Sequence, residues 1–365
     1  MNNIVQNSHA GPRFSRLDLK KAIPAHCFKS SIIKSLSYFL LDFSIIVILY
    51  TLMYLIQPVW SLPLFWFALG TMFWAIFVVG HDCGHGSFSK IPRLNKIIGY
   101  LCHTALLVPF YSWKVSHAKH HLNTASIEND EVFRIFTESE YQSLGWFYRL
   151  VRFKLFLFFF PFYLLGIIDK DPHKWPKNSH FFPKSHLFTK NDYFPVLCST
   201  FLCITTLLFY AYLGYSFGIF FILKYYGIPY LVFIVWLTLV TFLHHTDMNV
   251  PFYRKSVWTN FSGSLSTIDR DYGRILNFLQ NNINLHVVHH LFPNIPHYHL
   301  KEATQYIIPI LGKYYLQPVS LSIIKSFFKS AKDCQFVLDQ GEIVYFYKGT
   351  GHNQRDHKPL EESNE

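Results

Sequence analysis

The sequence predicts an all-α integral membrane protein: four transmembrane helices in two hairpins, with a cytoplasmic helical cap that carries three histidine clusters. Three observations predict it. Apolar residues gather in four runs of membrane-spanning length, Lys and Arg fall on one side of those runs, and the histidines cluster beyond the run ends at helical spacing.

The chain has 365 residues, is 51% hydrophobic and 19% aromatic, and holds 38 Phe, 23 Tyr and 8 Trp. Residues 1–35 form a cytoplasmic N-terminal segment rich in cations, with Arg13, Arg16, Lys20, Lys21, Lys29 and Lys34. Residues 36–80 form the first hairpin: Leu36–Ile56 carries one charge, Asp42, and Leu62–Gly80 carries none. Each run is close to the roughly 20 residues that cross a bilayer. Residues 81–193 form a cytoplasmic region with the first two histidine clusters. Inside it, Ile97–Phe110 and Leu155–Ile168 have 14 residues each, too short for a span and suited to interfacial, re-entrant or buried helices. Residues 194–243 form the second hairpin, from the uncharged Phe194–Leu213 and from Lys224–Leu243, apolar after its first residue. Residues 244–365 return to the cytoplasm with the third cluster.

The links Gln57–Ser61 and Gly214–Leu223 contain no Lys or Arg, so the positive-inside rule places both termini and the Gly80–Asn191 region in the cytoplasm. The formal charge of +11 shows no compact basic patch with stacking aromatics, which excludes nucleic acid as a partner. Asp42 is an unusual intramembrane acid, expected to reach water or Lys34. Cys27, Cys83, Cys102, Cys198, Cys203 and Cys334 form no CxxC pair and read as reduced packing residues. No cleavable signal peptide is expected, because the basic N-terminus leads into a full-length span.

The clusters are His81-Asp-Cys-Gly-His85, His117-Ala-Lys-His120-His121 and His286-Val-Val-His289-His290. Imidazoles at i, i+3 and i+4 share a helix face, so each group is expected to point toward a common point. A structural zinc site needs four ligands, usually with cysteine. Eight clustered histidines, with the adjacent pair His244-His245 at the end of span four, suit two metals of four or five ligands each. Ligand type alone leaves Fe, Zn, Cu and Ni open. Asp82, Asp130, Glu131, Asp247, Asp269 and Asp271 are candidates to orient these rings. The topology is an independent check: with four spans all three clusters share one membrane face. Leu155–Ile168 must therefore not cross, and a reporter near Lys177 is expected inside.

The spacings HDCGH, HAKHH and HVVHH, in this order around two hairpins, resemble the membrane-bound di-iron fatty acid desaturases. The likeness runs nearly end to end, through Ala22–Cys27, Gly80–Ser89, Ser179–Pro183, His244–Asp247, Thr267–Gly273, His289–His299 and Leu311–Tyr315. The GHDCGHGSFS run and HHLFPNIPHYHL are most similar to the methyl-end omega-3 acyl-lipid desaturases. Delta-12 enzymes acting on oleoyl chains are the alternative, as is an acyl hydroxylase on the same scaffold. The resemblance implies two non-heme irons, O2 as co-substrate, a fatty acyl lipid substrate, membrane lipid around the spans, and a separate electron donor, ferredoxin or cytochrome b5. A basic cytoplasmic surface suits an acidic donor. The implied catalytic and iron-binding residues are His81, His85, His117, His120, His121, His286, His289 and His290, with His245 rather than His244 as a further ligand. Where relatives often have histidine and threonine, this chain has Gln280-Asn281-Asn282-Ile283-Asn284-Leu285, so Asn281 or Asn282 is expected to act through water or beside a ligand.

The implied reaction converts linoleoyl to linolenoyl chains by removing two hydrogens from adjacent carbons, giving a cis double bond while dioxygen is reduced to water. An unactivated methylene has no acidic proton for general acid–base catalysis to work on. The hard step belongs to the cofactor, and positioning belongs to the protein. Phe65, Trp66, Trp74 and Trp236 are expected to wall the acyl chain. A histidine-rich metal transporter is the competing non-enzyme reading, but it would hold ligands near the bilayer midplane, whereas these lie beyond the span ends.

Overall fold

Four helices among the described residues are long and apolar enough to cross a membrane. The computed structural model describes residues 12–56, 58–146, 149, 156–167, 178–316 and 322–347. Helix α1 (Arg16–Ala22) starts with a capping box between Ser15 and Asp18. Helix α2 (Ile32–Leu55) and helix α3 (Leu62–His85) are the first two apolar helices. Helix α4 (Pro92–Thr104) and helix α5 (Phe110–Asn123) follow, then the short α6 (Glu138–Ser143) and α7 (Phe160–Leu164). Helix α8 (Tyr193–Phe217) is the third apolar helix. The fourth is built from α9 (Ile219–Ile222), a π-helical turn Leu223–Gly227, and α10 (Ile228–His245). The remainder holds α11 (Asn260–Leu265), α12 (Arg274–Leu279), α13 (His286–Leu291), α14 (His297–Leu311) and α15 (Ile323–Asp333).

Helices α3 and α10 form the centre, joined by a hydrogen bond of 2.9 Å from Trp236 Nε1 to Thr71 Oγ1. Their shared core includes Phe73, Trp74, Phe77, Phe233, Leu237 and Val240. Helices α2 and α8 turn apolar side chains outward: Leu40, Phe43, Ile48, Phe201, Leu208 and Phe209 are all more than half exposed. In water such surface would be unfavourable, and in lipid it costs nothing.

Several boundaries differ from expectation. The link expected over Gly214–Leu223 contracts to Gly218, whose φ of +90° supplies the reversal without a loop. Tyr215 and Ser216 remain helical because bilayer-length helices satisfy their own backbone. Ile97–Phe110 is not one element: Leu107 adopts φ +55° and Pro109 caps α5, splitting the stretch between α4 and α5. Within Leu155–Ile168 the described part is a 3-10 turn, Phe156–Phe158, and the five-residue α7 with Pro161 in its first turn. At 1.5 Å per residue α7 covers only about 8 Å. Leu155, Ile168, Gln57 and Lys177 lie outside the described residues. The C-terminal region also adds small strands that the helical pattern did not suggest. Strand β1 (Phe252–Tyr253) pairs antiparallel with β3 (Ile343–Val344), and β2 (Phe336–Val337) pairs with β4 (Phe346–Tyr347).

Candidate metal centre

The centre forms where α3, α5, α10 and α13 end or begin. Helix α3 runs through the first cluster and stops at Gly86, whose φ of +73° closes the helix. The second cluster lies on α5, His245 ends α10, and the third cluster is most of α13. All nine histidines singled out in the sequence converge, and they gather about two points.

His81, His85, His117, His121 and His289 offer ring nitrogens that lie within 4.8 Å of one another. Their Nε2 atoms form a chain: His81 to His289 at 3.1 Å, His289 to His121 at 3.2 Å, and His121 to His117 at 3.1 Å. The second group is His120, His245 and His290. His286 joins it, with Nε2 at 3.0 Å from both His245 and His290, while His120 and His245 are 3.3 Å apart.

Hydrogen bonds alone do not account for these chains. A ring nitrogen either donates one proton or offers one lone pair, so a file of four has at most two of its three links bonded. The rest would press lone pair against lone pair unless a cation lies between them. Ligand atoms about 2.1 Å from one ion and at right angles about it lie roughly 3 Å apart, which is the spacing seen. His85 Nε2 adds a buried nitrogen with no hydrogen-bond partner. The donor sets therefore fit two metal ions, one with five imidazoles and one with four.

Partners on the far side of the rings fix which nitrogen is free. The Asp130 carboxylate accepts from His120 Nδ1 at 3.1 Å. Asp82 Oδ1 lies 3.3 Å from His81 Nδ1, while its Oδ2 accepts from His297 Nδ1 at 3.0 Å. Thr124 donates its hydroxyl proton to the His120 carbonyl at 2.7 Å and receives His290 Nδ1 at 3.2 Å. Such partners set tautomer and ring orientation. Asp269 acts through the backbone instead: it accepts from Val287 N–H at 2.8 Å and from Tyr315 Oη at 2.7 Å, and so holds the start of α13. Burial first, then the neighbouring imidazoles, keeps His117, His121, His286, His289 and His290 well below ordinary imidazole basicity. They stay neutral, as metal binding requires.

His244, set aside in favour of His245, uses both nitrogens elsewhere, donating from Nδ1 to the Ile268 carbonyl at 2.6 Å and accepting at Nε2 from Tyr272 Oη at 3.0 Å. It stacks on His286 with ring centroids 4.5 Å apart. Asp247 pairs with Arg270 at 3.2 Å, and Asp271 caps Gly273 and Asn277; neither reaches a ring of the centre. Glu131 lines the adjoining cavity. Asn281 donates to Asp42 Oδ2 at 3.1 Å, so Asp42 is buried against Asn281 rather than solvated or paired with Lys34. Neither Asn281 nor Asn282 approaches the centre through a hydrogen bond among those described. His297 was missed because 215 residues separate it from its partner Asp82.

Beside both groups lies a cavity of about 240 Å³. His81, His117, His120, His245 and His286 form its polar end, and Trp74, Phe77, Trp113, Phe160, Leu237 and Ile283 are among its apolar walls. Of the four aromatic residues expected as walls, Trp74 takes that place. Trp236 binds Thr71, Trp66 donates to the Lys224 carbonyl at 2.9 Å, and Phe65 packs with Met53 and Leu69.

Comparison with known proteins follows the same direction. A family model for fatty acid desaturases matches residues 58–321. The sn-1 acyl-lipid omega-3 desaturase (ferredoxin) of Synechocystis sp. is 46% identical over 333 residues, covering 91% of each chain. The sn-2 acyl-lipid omega-3 desaturase (ferredoxin), chloroplastic, of Arabidopsis thaliana is 42% identical over 346 residues, covering 92% of this chain and 76% of its own. The omega-3 fatty acid desaturase, endoplasmic reticulum, of Vigna radiata is 42% identical over 346 residues, covering 92% of this chain and 90% of its own.

Proposed function

The chain belongs to the fatty acid desaturase family and is an oxidoreductase of the membrane; from that premise we propose that it is an omega-3 desaturase of acyl lipids. It places a cis double bond near the methyl end of an unsaturated chain, linoleoyl to linolenoyl, at a di-iron centre. The observation that carries this reading is a single apolar cavity whose polar end is shared by both histidine groups. A methylene lying there faces both metal positions at once. The names of the relatives support omega-3 selectivity and ferredoxin as the donor.

His81, His85, His117, His121 and His289 would hold one iron, and His120, His245, His286 and His290 the other. Bound iron supplies the activation of dioxygen that no side chain offers, which is what hydrogen removal from an unactivated methylene needs. The protein does the rest. Asp82, Asp130 and Thr124 keep Nε2 of their histidine partners deprotonated and aimed inward. Trp113 stacks on His117 with centroids 4.5 Å apart, holding that ring against rotation. The aromatic walls exclude water from the reacting end and align the acyl chain against it. The excess of Lys and Arg before α2 supports a topology of two hairpins with both termini and all histidine groups on the cytoplasmic side.

The test is expression in a host without polyunsaturated lipids, supplied separately with linoleate and with oleate. A new bond after linoleate alone supports the proposal. A new bond after oleate alone would make the enzyme a delta-12 desaturase, and a hydroxylated product would make it a hydroxylase.

A further inference from the structure

A second set of metal-binding side chains stands apart from the iron positions. His26 and Cys27 are consecutive in a 3-10 turn, Ala25–Phe28, ahead of α2. His299 and Glu302 are three residues apart near the start of α14, on one face of that helix. The four groups offer ligand atoms that all lie within 4.8 Å of one another. His26 Nε2 is 2.9 Å from Glu302 Oε2, Cys27 Sγ is 3.7 Å from His26 Nε2, and His299 Nδ1 is 3.7 Å from Glu302 Oε2.

We propose that His26, Cys27, His299 and Glu302 form a structural zinc site that fastens the N-terminal segment to α14. The Glu302 carboxylate accepts from His26 and from Cys27, while 3.7 Å between His299 and Glu302 is long for an N–H···O bond. The edges of a tetrahedron with bonds of about 2.0 to 2.3 Å are roughly 3.3 to 3.6 Å, close to the longer separations. One thiolate, two imidazoles and one carboxylate make a closed, borderline-soft donor set, which suits zinc and leaves no open position for substrate.

Cys27 is fully buried. Zinc would bind the thiolate; the sulfur–metal bond forms as the S–H proton leaves for solvent, with no change of oxidation state. The site lies two residues along α14 from His297, which bonds Asp82 beside His81. Zinc there would hold the helix that buttresses the iron centre.

The test uses the full-length chain in lipid nanodiscs, with metals counted by mass spectrometry after equilibration with zinc and removal of loose ions. One zinc per chain is expected in addition to iron, released by Cys27→Ser and by His26→Ala while iron content is kept. His26 is exposed, so its truncation opens no cavity and serves if the Cys27 variant fails to fold. Cobalt(II) in place of zinc is expected to give a sulfur-to-cobalt charge-transfer band that Cys27→Ser abolishes. Protein without this zinc, or with zinc and the cobalt band undiminished in both variants, would overturn the proposal.

Discussion

His120 and His121 are chain neighbours, yet they fall in different histidine groups. Consecutive residues on a helix point about 100° apart, whereas i and i+4 share a face. So 81 with 85, 117 with 121, and 286 with 290 stay together, while 120 and 289 cross over, and the second and third clusters each bridge both metals. This sharing makes the buttressing groups consequential. His297→Ala removes a partner of Asp82, itself beside His81, and is expected to weaken iron binding about 10- to 100-fold, read by chelator competition. Unchanged affinity would show that His297 only packs. Removing the metals should expose a second dependence. The basicity of His117, His121, His286, His289 and His290 is depressed below the ordinary 6.5. The unfolded chain then binds more protons, so their stabilisation is present above that value and lost as pH falls through it. Metal-free protein should show a melting temperature that drops from pH 7.5 to 5.5; a flat profile would contradict the burial of neutral rings. The convergence of the histidines was readable from local spacing, which is a property of one helix turn. The division into two groups is not fixed by that spacing, because the i,i+3 pairs His117 with His120 and His286 with His289 are split between them by the way the helices pack. Asp82 with His297 and Thr124 with His290 were not readable, because they join elements far apart in the chain.

At the scale of elements, α3 and α4 approach closely because Gly80 has no side chain. A Cβ there would overlap the His103 ring, which is itself stacked on Phe77 and bonded to the Phe77 carbonyl at 3.1 Å. Gly80→Ala is expected to cost about 1–3 kcal/mol by overpacking and to shift the adjacent His81. Lower thermal stability together with reduced iron occupancy would bear this out, and wild-type values for both would refute it. Along α3 and α10, Trp74 and Thr238 each lie seven residues before a histidine of the centre, about 10 Å along the axis. Both line the cavity away from its polar end. Thr238→Phe should fill the part of the cavity away from the histidines and lower turnover of linoleate about tenfold or more, with shorter chains less affected. Equal losses at every chain length would refute that role. Long apolar helices were evident from composition, since each reads as one uncharged run. Their junctions were not, because Leu107 and Gly218 act through backbone angles that apolar neighbours conceal.

At the scale of the whole molecule, α2 and α8 leave most of their apolar surface exposed while α3 is mostly buried. Asn281, from the connection before α13, reaches back to bond both the intramembrane acid Asp42 and the Ala75 carbonyl, the latter at 3.3 Å. The connection before α13 is thereby tied to α2 and α3. Asn281→Ala leaves Asp42 buried without its donor, at a cost of about 1–3 kcal/mol. Unfolding in detergent should show that loss, and Asp42→Asn should recover part of it.

The hinge at Gly218 has a consequence for how the molecule meets the far side of its membrane. With one residue turning α8 into α9, no loop separates these two helices. A protease that needs several extended residues therefore finds no substrate at that junction.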